Sequence, residues 1–439
     1  LTLGSLAAAA GLVTVTGGTG TNSVTIGSGY NGNLTVALAA GTDTINGSAQ
    51  TSGSLTVTAA QDSITTADTI TGGSATDTLT ITGGGTALVA ADLDKVTNFA
   101  TIRTATDAAF SITTHENNAA SGVNVAFDAS SMTSANLTFS AAAETDGGIY
   151  TVTAGGGGDN ITLGSGNDTV KFAAAKLTNA DTVNGGGGSD TLKLTASSSI
   201  ADADLTNVTN TENLTLDNLG HNLTLVMGAE ALGAGLTSVT TGTGTNSITI
   251  GSGYTGALNV ALGAGTDTVN GSGQTSGSLT VTVDQDSITT ADTITGGFGA
   301  DTITGGPGID VMTGNAGNDI FSVATAANAL GLTSAETYDG GAGSDTLLID
   351  VDAGTTVIAA DLANMSSIET INLNGTGADS ITLSDSVYTN NGTTLLKIYA
   401  DPCSCSAVPA FAASILPLSL NLTLIGTALP PLTLPDGNS

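Results

Sequence analysis

Valine, isoleucine and leucine recur at every second position of short runs, with threonine, serine or asparagine between them. Examples are SVTI at Ser23–Ile26, LTVT at Leu55–Thr58, VNVAFDA at Val123–Ala129 and TLKL at Thr191–Leu194. A period of two puts the apolar side chains on one face of a strand and the small polar ones on the other. The runs are rich in β-branched residues and are separated by turns of glycine, asparagine and aspartate. This pattern predicts an all-β protein of thin, repeated layers, best arranged as an elongated parallel β-solenoid.

The layers repeat on two scales. GTGTNSVTIGSGYNGNLTVALAAGTDTINGSAQTSGSLTV, from Gly18, returns almost unchanged from Gly242, an offset of 224 residues. Within that, ADTITGGSATDTLTI (from Ala67), ADTVNGGGGSDTLKL (from Ala180) and AETYDGGAGSDTLLI (from Ala335) share one pattern. Each is followed by Ala-Asp-Leu, at Ala91–Leu93, Ala203–Leu205 and Ala360–Leu362, which predicts a short helix or 3₁₀ turn leading into another strand. The expected blocks are a solenoid at 1–104, a strand-rich insert with weak repeats at 105–154, a second roll at 155–228, a third block at 229–399, and a Pro-rich tail at 400–439. Six of the seven prolines and both cysteines, Cys403 and Cys405, fall in that tail. It reads equally as a true tail or as a degenerate coil.

Composition narrows the class. With 61 glycines, 8 Phe and no Trp, there is little bulk for a large globular core, yet 40% hydrophobic residues are too many for a disordered chain. Only 6 Lys and Arg face 38 Asp and Glu, a formal net charge of −32. No basic face for nucleic acid can be built from that set, and an anionic membrane surface would repel it. The two cysteines stand too close in sequence to close a loop, and no set of zinc ligands exists. Position 1 is Leu, with no signal peptide or long apolar run, so a processed product or a fragment is expected.

The acids are placed regularly. GGFGADTIT (from Gly296), GGPGIDVMT (from Gly305) and GNAGNDIFS (from Gly314) are consecutive nonapeptides of the form G-G-x-G-x-D-x-U-x, where U is a large apolar residue. Their aspartates, with the one before them, run Asp292, Asp301, Asp310, Asp319; the apolar positions are Ile294, Ile303, Met312 and Phe321. Glycine lets backbone carbonyls approach an ion, aspartate offers the hard oxygen that Ca²⁺ prefers, and x-U-x is a strand with its apolar residue inward. Stacked coils set like charges side by side, which a metal between adjacent loops would turn into cohesion. The register returns at Asp159 and Asp168, Asp68 and Asp77, Asp181 and Asp190, and Glu336 and Asp345. Asp43, Asp267 and Asp379 stand in isolated half-matches, read as ordinary turn residues. Asn22 and Asn246 replace the acid in two loops, which can keep the fold but should bind calcium weakly or not at all.

These motifs resemble the repeats-in-toxin (RTX) family of exported bacterial proteins, over loops scattered from about Gly17 to Asp379. Their sparse spacing among Thr/Ala-rich strands is most similar to RTX-type surface-layer (S-layer) proteins. The resemblance implies a calcium β-roll, type I secretion, Ca²⁺ as the bound ion, and assembly on the cell surface. It implies Asp301 and Asp310 as leading ligands, with carbonyls of the loops around Gly297, Gly299, Gly306 and Gly308. The other candidate ligands are Asp292, Gly317, Asp319, Asp159, Asp168, Asp181, Asp190, Asp68, Asp77 and Asp345.

Catalytic readings find no support in the residues. His115-Glu116 opens like a zincin helix but lacks the second histidine, no G-x-S-x-G elbow occurs, and the G-x-G strings lead into strands rather than a helix. Paired carboxylates for glycoside hydrolysis would want sugar-stacking aromatics, and Trp is absent. Threonine triplets read as solvated strand positions, because they keep no constant spacing. The expectation is a non-enzymatic subunit of an extracellular lattice or filament, with cell-surface polysaccharide as a candidate partner and no nucleic acid or membrane insertion. The alternatives are the repeat region of a large adhesin or biofilm-matrix protein, ice-binding variants included, and the β-roll remainder of a secreted enzyme.

Overall fold

A computed structural model describes residues 1–73, 76–283, 290–325, 335–351, 356–375, 380–381, 387, 396–400 and 423–425. The chain divides into two compact units, Leu1–Asp217 with Gly233–Leu236, and Asn218–Leu232 with Thr237–Ser439. Both are parallel β-solenoids, and together they make about 15 turns.

In the first unit one stack of parallel strands runs without a break from Thr14–Thr16 through Leu34–Ala37, Leu55–Ala60, Thr78–Thr82, Thr101–Thr104, Asn124–Asp128, Ile149–Thr153 and Thr169–Phe172 to Thr191–Leu194 and Asn213–Leu216. A facing stack holds Asn22–Ile26, Asp43–Asn46 and Thr69–Thr71, and another holds Phe110–Thr113, Leu137–Ser140, Asn160–Thr162 and Thr182–Asn184. Residues 105–154, read as an insert, therefore add strands to the same solenoid. Their coils are filled by Phe110, Phe127, Phe139 and Tyr150, whose rings follow one another at 5.9, 4.8 and 5.5 Å.

In the second unit, strands Ser247–Ile250, Thr268–Asn270, Thr293–Thr295, Val311–Thr313 and Thr337–Asp339 form one parallel stack. Leu258–Leu262, Leu279–Val283, Thr302–Thr304, Ile320–Thr325 and Thr346–Val351 form the other. The alternation works as the pattern requires. Ile294 stacks on Met312 and Ile303 on Phe321, all four at most 2% exposed. Burying each such side chain stabilises the coil by about 1.5–3 kcal/mol, so the core is a column of single residues rather than a globule. Of the Ala-Asp-Leu elements, Ala90–Leu93 is a one-turn helix and Asp202–Leu205 a 3₁₀ turn. In the tail, Ala400 ends the strand Lys397–Ala400 and Thr423–Ile425 is a strand beside Lys397–Tyr399; Cys403 and Cys405 lie outside the described residues.

The threonines lie at exposed or half-exposed strand positions, and irregular spacing does not stop them from stacking. Thr14, Thr35, Thr56, Thr78 and Thr101 are direct cross-strand neighbours, and the column passes through Ala126 to Thr151, Thr169 and Thr191. The corners absorb the differences in coil length, leaving the strand register intact.

Candidate metal centre

The acids that precede the x-U-x strands are buried, and they are stacked. In the tandem array the backbone N–H of Asp301 donates to Oδ1 of Asp319, 18 residues on, at 2.8 Å, and Asp319 donates likewise to Asp345 at 2.8 Å. The ladder starts at Leu279 N–H on Asp301 Oδ1 and ends at Asp345 N–H on Glu369 Oε2. A second ladder runs from Asn246 through Asp267 and Asp292 to Asp310, with N–H to Oδ1 distances of 2.7, 2.7 and 2.8 Å. Acids nine apart in sequence thus fall in different ladders, and those two nonapeptides apart become neighbours.

The first unit repeats the device. Asp159 donates to Asp181 at 2.8 Å, Asp168 to Asp190 at 2.7 Å and Asp190 to Glu212 at 2.8 Å. Asp43 donates to Asp68 at 2.7 Å, and Asp77 accepts from Leu55 N–H at 2.7 Å. The second carboxylate oxygen often turns back on its own loop: Gly297 N–H donates to Asp301 Oδ2 at 2.7 Å, and Gly155 N–H to Asp159 Oδ2 at 2.8 Å.

Two asparagines reveal what converges inside such a loop. Asn246 Nδ2 donates to the carbonyls of Gly242 and Gly244 at 3.4 and 3.0 Å and to Asp267 Oδ1 at 2.9 Å. Asn22 does the same toward Gly18, Gly20 and Asp43. The carbonyls four and two residues before the side chain therefore face one point, and the amide supplies that point with positive hydrogen. At Asp301 the same two positions are Gly297 and Gly299, and at Asp310 they are Gly306 and Gly308. A carboxylate has no hydrogen to give. A cation satisfies that set of oxygens instead, and the loops fit one.

Two further observations agree. Oδ2 of Asp43, Asp190, Asp319 and Asp345 is buried without a hydrogen-bond partner among the described residues, a costly state for an anionic oxygen unless a cation meets it. The glycines two before the acid also stack against each other's carbonyls: a Cβ on Gly317 would overlap the carbonyl oxygen of Gly299, and one on Gly343 that of Gly317. Only glycine lets those oxygens line up along the stack.

Burial also acts on the protons. It pushes Asp319 up to about 7, helped by the charges of Asp301 and Asp345, and Asp190 up to about 7, helped by Asp168 and Glu212. Burial raises Asp159, Asp168, Asp181, Asp301 and Asp345 as well. A ladder of this kind holds either protons or cations.

The model of the RTX calcium-binding nonapeptide repeat matches four copies, at residues 151–170, 178–193 and 289–321. The chain carries RTX repeats. No curated protein and no solved structure matches the chain. The matched segments hold Asp159, Asp168, Asp181, Asp190, Asp292, Asp301, Asp310 and Asp319, and the solenoid around them has the geometry of a β-roll.

The RTX ladders are longer than the sequence motif. Asp68, Asp77 and Asp345 lie outside the matched segments yet occupy the same position in their coils. Asp43 and Asp267, read as ordinary turn residues, are buried members of the ladders. Asp379 lies outside the described residues. Glu212 and Glu369 were missed altogether. Their signal is an acid two residues before a buried leucine or isoleucine, in TENL and IETI, with no glycine ahead of it. His115 caps a 3₁₀ turn by accepting from Asn117 N–H at 3.1 Å, a structural role.

Proposed function

We propose that this chain is a structural subunit of an extracellular surface layer or lattice, exported by a type I route and folded and held together by Ca²⁺ in its RTX loops. One observation carries the reading: rows of buried acids, in the same ladders as loops whose carbonyls converge on Asn22 and Asn246, which gain cohesion when their charge is neutralised. Asp301, Asp310 and Asp319, with carbonyls at Gly297, Gly299, Gly306, Gly308 and Gly317, would hold the ion. The ion supplies charge neutralisation and cross-links between coils. The low bulk, the near-absence of Lys and Arg, and the repetition favour a self-assembling scaffold over an enzyme or a nucleic-acid binder. Cell-surface polysaccharide is the expected anchor.

Electron microscopy of the purified protein tests this. Ordered two-dimensional or filamentous assemblies with millimolar Ca²⁺, lost in EDTA, are the expected result; single rods in both conditions would refute a lattice role. The stacked threonine column favours a second reading, the repeat region of a large adhesin or biofilm-matrix protein that binds a ligand or ice on that face. Monomeric rods that bind such a ligand would select it.

A further inference from the structure

Outside the RTX loops, three acids from two consecutive coils of the first unit meet. Glu116 lies in the 3₁₀ turn Glu116–Asn118, just after strand Phe110–Thr113. Glu144 and Asp146 lie in the turn after Leu137–Ser140, the next strand of that stack. A carboxylate oxygen of each is within 4.8 Å of the others. None stands at the aspartate of a nonapeptide, and none falls in a matched segment.

Glu144 is the informative member. It is only 2% exposed. Its Oε1 accepts from Asp146 N–H at 3.2 Å and Gly148 N–H at 3.1 Å, while Oε2 is buried with no hydrogen-bond partner among the described residues. A bare anionic oxygen beside two more acids is strongly disfavoured unless positive charge joins them. The gap is kept open by Gly148: a Cβ there would stand 2.8 Å from Glu144 Oε2 and against the carbonyl oxygen of Ala119, so both oxygens border one space. The rim is tied from both coils, by Thr145 Oγ1 donating to Glu116 Oε1 at 3.0 Å and Ser121 Oγ donating to the Asp146 carbonyl at 2.7 Å.

We propose that Glu116, Glu144 and Asp146 bind a hard divalent cation of the Ca²⁺ class, with the Ala119 carbonyl completing an all-oxygen set. Ligands at about 2.3–2.6 Å from an ion stand at most about 5 Å apart, so oxygens within 4.8 Å can share one. The position gives the ion a purpose. The ladder of Asp168 and Asp190 begins at Tyr150 N–H, and the coil before it offers Val125 at that register, so the ladder has no acid there. The cation clamps those coils where the ladder cannot.

The test counts Ca²⁺ bound per full-length chain by equilibrium dialysis. Glu144→Gln and Asp146→Asn are each expected to bind one ion fewer than the parent; Asp146 is exposed, so its variant keeps the fold if the first does not. The paired variant Asp301→Asn, Asp319→Asn should lose RTX-loop ions and still respond to Asp146→Asn. An unchanged count in Asp146→Asn, with the β-sheet circular dichroism of the parent, overturns the proposal. An unchanged count in the paired variant alone overturns the loop reading and leaves this site standing.

Discussion

Asp301 gives its backbone N–H to the side chain of Asp319, one coil further along. The same carboxylate that would neutralise calcium is thus already a backbone acceptor, so fold and metal share one group.

Replacing Asp301 separates the two roles. Asp301→Ala leaves the Leu279 N–H without its acceptor and should cost about 1–3 kcal/mol of stability. Asp301→Asn keeps that acceptor, and its amide can serve the Gly297 and Gly299 carbonyls as Asn246 serves Gly242 and Gly244. The Asn variant should bind less Ca²⁺ yet unfold at higher urea in EDTA than the Ala variant. Equal urea midpoints for the two would contradict the asparagine argument.

Acidity should act in an unusual direction. In the folded, metal-free chain Asp319 and Asp190 hold their protons to about 7, against an ordinary 3.8. Between those values the folded state binds more protons than the unfolded one, so stability falls as pH rises from about 4 to about 7. Urea midpoints measured in EDTA should therefore drop across this window. With saturating Ca²⁺, which replaces the protons, the drop should vanish. A rise in EDTA would rule out the burial effect.

Glycines differ in what they permit. Gly317 has φ of 139° and faces the Gly299 carbonyl, whereas Gly18 has nothing within 4 Å of a Cβ. Gly317→Ala should lower the thermal midpoint and the calcium count together, while Gly18→Ala should stay within about 0.5 kcal/mol of the parent. Matching losses for both would show that the carbonyl stacking is immaterial.

The aromatic column of the first unit should dominate its stability. Phe127 lies between Phe110 and Phe139, and Phe127→Ala should cost about 3–5 kcal/mol, read by chemical denaturation. A loss below about 1 kcal/mol would mean that these coils collapse around the gap.

The sequence displays the chemistry of a coil better than its circumference. Alternation located Ile303 and Phe321 on the inner face, and the glycine–aspartate spacing singled out Asp301 and Asp310, which are both buried. What stacks on what was hidden, because the ladder steps are 18 residues at Asp301, 22 at Asp168 and 26 at Asp319. Corners of unequal length disguise a constant register. Glu369 escaped notice because a longer side chain reaches the ladder from a turn without glycine, and Glu144 because its partner Glu116 is a coil away.

Each rung passes its hydrogen from an earlier coil to a later one: Leu223 to Asn246, Asn246 to Asp267, Asp267 to Asp292. Such a column has a head and a tail that differ chemically. Shortening it from the front frees carboxylate oxygens, which water solvates readily; shortening it from the back strands amide hydrogens in a dry interior. Its growth is directional, with every new coil finishing the one made before it.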